Sequence, residues 1–320
     1  MHCVRNNFNV PDFIIGGAPK CGTTSLHWIL AQHPDIQIPN GEIYYFDADD
    51  AITHPDFLFV ESGRLRWFDW QSRQVRNFDW YASHFKDLAR TGLIGEDTTT
   101  YLLSDVAAHR IKQVLPHIKM IFLLRQPAER AYSQYWHLMK TGRVTVPFET
   151  ALSQQPSIIL GSTYASNLRR FVHLLGRDRI HIVLFEELVK KPDATINAAT
   201  DFLGVPRMKV QEERTWYHRT YYPVNFTAQR NLNRIGRLLG RERYRNYLGT
   251  TSDTIAQKLR GKMCKLWFGR INSILLKADR RPAMRDETWE YLCQHLSARN
   301  RGLSDIVGRN LSEVWANFDD

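Results

Sequence analysis

The chain has 320 residues, 43% of them hydrophobic and 24% charged, enough apolar material for a sizeable core and too much for a disordered chain. Its 43 Lys and Arg against 33 Asp and Glu give a formal net charge of +10, which favours an anionic partner: a nucleotide, an acidic glycan, nucleic acid or a membrane surface. The four cysteines, Cys3, Cys21, Cys264 and Cys293, form no C-x-x-C pair and stand near no histidine cluster of zinc spacing, so neither a metal site nor a disulfide framework is expected and a reducing compartment fits.

In chain order, the run DFIIGG at residues 12–17 is apolar, short and closed by glycines, as a buried strand is. GAPKCGTT follows, and then SLHWILAQHP carries Leu26, Ile29 and Leu30 at helical spacing before Pro34. Residues 52–87 are rich in Trp, Phe, His and Asp and read as an irregular excursion ending in a helix. LIGED near Gly95 reads as a short strand, and IKMIFLLR at residues 118–125 as a longer one between Pro116 and Pro127. The helix predicted over 128–140 places Tyr132, Tyr135, Trp136 and Met139 on one stripe. IHIVLFEEL is a further strand, leading into a helix with Ile196, Ala199, Phe202 and Leu203 on its apolar face. Strands alternating with helices predict an α/β fold, a central mainly parallel sheet with helices on both faces, in a single domain over 1–320. Residues 207–270 depart from the repeat. Arg230, Arg234, Arg237, Arg241, Arg243 and Arg245 recur there every few residues, as on a basic helical face that is either solvated or a docking surface for an acidic or sugar-rich acceptor.

The segment from Gly17 to Thr24 has the glycine spacing of a P-loop, Gly17 and Gly22, but Thr23 stands where that loop carries lysine and Lys20 comes two residues before the second glycine. Backbone N–H groups ahead of a helix still make an anion cradle, with Thr23, Thr24 and Ser25 adding hydroxyls and Lys20 a point charge. PKCGTTSL after an apolar strand resembles the 5′-phosphosulfate loop of sulfotransferases that use 3′-phosphoadenosine 5′-phosphosulfate (PAPS). LLRQPAERAYSQY resembles that family's 3′-phosphate segment, with Arg125 and Ser133 at the matching positions. The later YASNLRRFVHLLGRDRIHIVLFEELVKKP and the C-terminal portion resemble further family segments, the latter those of bacterial members.

The resemblance implies a sulfotransferase fold, PAPS as donor, adenosine 3′,5′-bisphosphate (PAP) as product and no required metal. It implies a donor site of Pro19, Lys20, Cys21, Gly22, Thr23, Thr24, Ser25, Arg125 and Ser133. NGEIYYFD at residues 40–47 is similar to the segment that supplies the base in enzymes sulfating heparan-type glycans, which puts Glu42 in the role of base and Lys20 beside it as the catalytic cation. Tyr44 stands where some of those relatives carry histidine, and Asp47 is a candidate for orienting an acceptor hydroxyl. GEDTTTYLLS has Asp97 where glycan-sulfating relatives have lysine, so Glu96 or Asp97 is a candidate for binding an acceptor hydroxyl, and a heparan-like acceptor is less well supported.

The expected acceptor bears a hydroxyl and is a glycan or glycolipid, with a small-molecule or lipid alcohol as the alternative; Trp67, Trp70 and Trp80 are equally suited to stacking on sugars and to core packing. A P-loop kinase or triphosphatase would instead need lysine at residue 23 and a magnesium-binding carboxylate, for which Glu186 is the candidate. A nucleic-acid binder driven by the basic stretch lacks any RNA- or DNA-binding motif, so no nucleic-acid partner is expected. No apolar run approaches the ~20 residues of a transmembrane helix. The first thirteen residues hold no signal-peptide core, and a cytoplasmic location is expected.

Overall fold

The computed structural model describes residues 9–61, 63–67, 77–89, 91–211, 221–240 and 255–320. Its centre is a five-stranded sheet whose strands are β1 (Phe13–Gly17), β2 (Ile36–Gln37), β3 (Leu93–Asp97), β4 (Lys119–Leu124) and β5 (Ile180–Leu184). Every neighbouring pair is parallel, in the spatial order β2–β3–β1–β4–β5. The register sets Phe13 opposite both Gly95 and Lys119, so the carboxyl ends of β1, β3 and β4 open on one edge.

β1 is buried at all five positions, and Met120 through Leu124 have no exposure at all. A strand without alternation must be covered on both faces, and parallel pairing requires crossovers that put helices there. Helices α1 (Thr23–Leu30), α2 (Asp105–Val114), α3 (Pro127–Lys140), α4 (Tyr164–Leu175) and α5 (Pro192–Leu203) make those layers, with α1 packing on α5 and α2 on α4. The aromatic stripe of α3 is buried as its spacing predicts, and it seats the C-terminal helix α6 (Asp286–Arg299) through Leu292, Cys293 and Leu296. The four strands expected from apolar runs are present. β2 was not anticipated, because two residues are too short to leave a pattern and only pairing with Leu93 and Ile94 defines them.

The excursion at 52–87 contains an antiparallel hairpin, Phe59–Glu61 with Arg64–Arg66, and a closing helix, Phe78–Ser83. Trp80 packs against the main core and Trp67 is exposed; Trp70 lies outside the described residues. In the basic stretch, Arg230 donates to the Thr145 carbonyl at 3.0 Å, so it ties the Phe226–Gly240 helix to the body of the protein, whereas Arg234 is exposed. The side chain of Arg237 and all of Arg241, Arg243 and Arg245 lie outside the described residues. Cys21, Cys264 and Cys293 are buried and form no disulfide among the described residues. No described helix is long and apolar enough to cross a membrane.

Glu186, the candidate magnesium carboxylate, is committed elsewhere. One oxygen accepts the Gln126 backbone N–H at 2.9 Å and the other accepts Trp315 Nε1–H at 2.9 Å. The carboxylate thus pins the C-terminal Trp315, 1% exposed, to the turn between β4 and α3. Replacing Trp315 by Ala leaves both a cavity and a Glu186 oxygen without its donor, at a cost of about 3–5 kcal/mol. The expected readout is a lower urea midpoint at an unchanged slope; an unchanged midpoint rules out this role for the C-terminal segment.

Candidate functional site

The turn between β1 and α1 forms the floor of a cavity of about 600 Å³ at the carboxyl edge of the sheet, where open parallel sheets place their sites. Gly17 has φ 133°, and a Cβ there would stand 2.4 Å from the Thr99 carbonyl oxygen; only glycine allows the loop to approach the end of β3 so closely. Gly22 is the left-handed N-cap of α1, and no side chain caps that helix, so the first-turn N–H groups are free to meet an anion. Pro19, Lys20, Thr23 and Thr24 face the cavity. Cys21 does not: its side chain is buried in the core near the Tyr164 hydroxyl, its N–H donates to the Ala18 carbonyl, and burial pushes its thiol up to about 11. Gly22 and Ser25 also lie outside the lining.

Lys20 is half-buried at the cavity floor and takes no carboxylate partner among the described residues. Burial, followed by the charges of Lys140, Arg130 and Arg125, pushes its ammonium down to about 8. Arg130, which the motifs did not single out, is the organiser of this corner. It is 1% exposed, and its Nε donates to the Pro19 carbonyl at 3.1 Å while its Nη groups reach the Ser157 and Ile158 carbonyls and Gln134. A Cβ on Gly161 would fall 2.2 Å from its Nη1, so the guanidinium lies flat on that backbone. It therefore shapes the loop and adds positive charge to it.

Three consecutive threonines after β3 hold the segment that carries Glu42. Thr98 Oγ1 accepts the Ile43 N–H at 3.1 Å and donates to Glu96 at 2.9 Å. Thr99 donates to Glu42 Oε1 from its N–H, at 2.9 Å, and from its hydroxyl. Thr100 donates to Asp47 at 2.6 Å. Tyr44, in the left-handed region at φ 55°, donates its hydroxyl to Glu42 Oε2. Three donors leave the Glu42 carboxylate one acceptor direction, and Glu42 lines the cavity. Burial raises its pKa, the Thr99 and Tyr44 hydrogen bonds pull it back only in part, and Asp97 adds to the rise.

The other carboxylates separate sharply. Asp97 lines the cavity and pairs with His27 of α1, Nδ1 to Oδ2 at 3.1 Å. Glu96, its neighbour in β3, is fully buried and accepts hydroxyls of Tyr81 at 2.5 Å and Tyr101 at 2.7 Å, with burial pushing it up to about 7. Asp47 likewise does not reach the cavity. It is fully buried behind the wall, where it fixes His54 at 3.0 Å and Thr100, both of which do face inward. The expectation that Glu96 or Asp47 meets an acceptor directly is thus corrected; both are supports.

Arg125, just before α3, and Ser133, within it, lie outside this cavity's lining, with Glu129 four residues from each in sequence. Glu129 is shared: Arg125 donates to it at 2.8 Å and Arg281 grips both oxygens at 2.7 and 2.8 Å. Burial alone would raise its pKa, but Arg281 and Arg125 together hold it below the ordinary range. Two guanidiniums on one carboxylate leave a net positive charge at the start of α3. Arg281 comes from far along the chain and bears no local signal, so the sequence did not mark it.

Comparison with known proteins adds the following. Residues 11–209 match the sequence profile described as the Sulfotransferase family. The chain is 26% identical over 212 residues, 61% of its length, to the human bifunctional heparan sulfate N-deacetylase/N-sulfotransferase 2. It is 24% identical over 313 residues, 90% of its length, to the N-deacetylase/N-sulfotransferase 1 of Caenorhabditis briggsae. These matches span 22% and 32% of those relatives' own lengths. In fold the chain is similar to a sulfotransferase from Alicyclobacillus acidocaldarius, with a TM-score of 0.62, 23% identity, and coverage of 95% of this chain and 98% of the other.

The Glu42 environment is open to direct titration. Replacing Thr99 by Val removes a donor that favours the ionised form, and replacing Asp97 by Asn removes a like charge. Followed by carbon NMR of labelled glutamate, the Glu42 pKa in the wild type is expected above the ordinary range, higher still in Thr99→Val and lower in Asp97→Asn. A Glu42 that titrates as a solvated side chain in all three would contradict the geometry.

Proposed function

The chain belongs to the Sulfotransferase family, and on that premise we propose that it moves a sulfuryl group from PAPS to a hydroxyl of a carbohydrate-like acceptor. The observation that carries the reading is the union, in one cavity, of a loop with an unneutralised lysine and a held carboxylate with one open acceptor direction. The first feature suits a multiply charged anion, the second a proton to be removed. The named action of two relatives on heparan sulfate supports a glycan as the acceptor.

PAPS supplies an activated sulfuryl group on a phosphate leaving group. Lys20, with the first-turn amides and hydroxyls of Thr23 and Thr24, would hold the phosphosulfate and balance charge on the departing phosphate. Glu42 would take the acceptor proton on its free lone pair as the new oxygen–sulfur bond forms and the bond from sulfur to the phosphate oxygen breaks. The raised Glu42 pKa suits a base working near neutrality, because a more basic carboxylate is a better proton acceptor. Arg125 and Ser133 would receive the 3′-phosphate, with Glu129 and Arg281 fixing the guanidinium.

Isothermal calorimetry with PAP tests the donor site. An anion restores the Lys20 pKa from about 8 towards its ordinary value, so binding at pH 8 takes up protons, seen as a dependence of the heat on the buffer's ionisation enthalpy. Arg125→Ala is expected to weaken PAP by roughly tenfold or more while changing adenosine 5′-monophosphate little. No PAP binding by folded protein, or equal losses for both nucleotides, would remove the assigned contacts.

Glu42→Gln keeps the shape and the Thr99 contacts but not the base. Its turnover with PAPS is expected to fall by roughly 10²–10⁴-fold with PAP affinity nearly unchanged. Turnover within a few-fold of wild type would take Glu42 out of the mechanism.

A further inference from the structure

We propose that His27 and Asp97 form an acceptor subsite that takes hydroxyl hydrogen bonds from an uncharged sugar unit and disfavours a carboxylated or sulfated one. The inference rests on the donor reading above, which places the phosphosulfate at Lys20 and therefore the acceptor on the Glu42 side of the cavity.

His27 sits one helical turn beyond Thr23 and Thr24 on α1, and Asp97 ends β3. The two come from strands and helices separated by seventy residues, yet they meet at 3.1 Å, and both face the same cavity as Glu42. They are 5% and 9% exposed, so what remains open of them opens on the cavity. With Asp97 Oδ2 taking the Nδ1 proton, the ring is fixed in the tautomer whose Nε2 is an acceptor. Asp97 Oδ1 is buried and has no hydrogen-bond partner among the described residues, so Asp97 contributes its charge and its hold on the ring, and the acceptor open to a hydroxyl is His27 Nε2. Trp28, whose ring is centred 5.2 Å from that of His27, also lines the cavity and offers an apolar surface beside this acceptor. An acceptor atom next to an aromatic face is what a hydroxyl and the carbon face of a sugar require.

The charge on this side of the cavity points the same way. With His27 neutral, the pair carries one negative charge; with His27 protonated, it carries none, and Glu42 is left as the uncompensated group. Asp47 stands directly behind His54 and Thr100. Arg143, the cation on this wall, is paired with Asp56 at 3.1 Å. Lys20 and Arg130 belong to the phosphosulfate end. Among the described residues, a uronate or sulfate placed beside Glu42 and Asp97 therefore meets negative or null charge with no cation assigned to it, and a like charge at such range weakens binding by roughly tenfold or more.

Transfer of labelled sulfate from PAPS to two oligosaccharides of matched length, a neutral β-linked glucan and a glucuronate-bearing heparosan fragment, tests the subsite on the whole chain, with PAP calorimetry run on every variant. The neutral chain is expected to be the better acceptor by roughly tenfold or more in kcat/KM. Asp97→Asn is expected to narrow the ratio and Asp97→Lys to reverse it, with PAP affinity held within a few-fold. His27→Ala is expected to raise KM for the neutral acceptor more than it lowers kcat, and His27→Gln, which restores an acceptor near the Nε2 position, to recover part of the loss. Preference for the uronate chain in the wild type, or a ratio indifferent to Asp97→Lys, overturns the proposal. Intact PAP binding with neither oligosaccharide sulfated overturns the sugar subsite while the donor site stands, whereas absent PAP binding in the wild type removes the donor reading beneath it.

Discussion

Positive charge held, among the described residues, without a counter-ion at the turn after β1 is the constraint from which the site follows. Lys20 sits among Arg130, Arg125 and Lys140, and bringing such groups together away from bulk water costs free energy that the bare chain does not recover locally. The fold sustains the arrangement by over-determining it. Arg130 spends its donors on the carbonyls of Pro19, Ser157 and Ile158 rather than on a carboxylate, so its charge stays available to the cavity. Glu129 partly neutralises two guanidiniums and leaves the sum positive. A site built this way is completed by an anion.

The opposite wall carries the mirror-image device. There, a carboxylate is kept in place by neutral donors. The threonines at 98, 99 and 100 each clamp a different part of the segment from Glu42 to Asp47, and the close approach of Gly17 to the Thr99 carbonyl locks that wall to the anion loop. Neutral donors hold a carboxylate without drawing its pKa as far down as a paired cation would, which preserves its basicity. The cationic floor and the acidic wall are thus kept apart across one cavity, which is the arrangement the proposed transfer requires.

The human and nematode relatives are much longer than this chain and share about a quarter of its residues where they align. The cavity wall of this protein, with a His27–Asp97 pair beside Trp28, carries its own charge pattern.

The sequence by itself determined the strand–loop–helix unit, the parallel sheet and the segments around Arg125 and Glu42, because each is a local signal: an apolar run, a glycine spacing, a short motif. Tertiary structure alone decided which side chains serve the site. Glu96 and Asp97 are adjacent in one strand and so project to opposite faces of the sheet, one into a nest of tyrosine hydroxyls and the other into the cavity against His27. Cys21 lies within the anion loop yet turns into the core, and Asp47 lies within the base segment yet stands behind the wall. Arg130, Arg281, His27 and the threonines bear no spacing that marks them, since their partners are brought together only when distant elements pack. Motifs specify backbone; the facing of side chains is settled by what the other layers leave open.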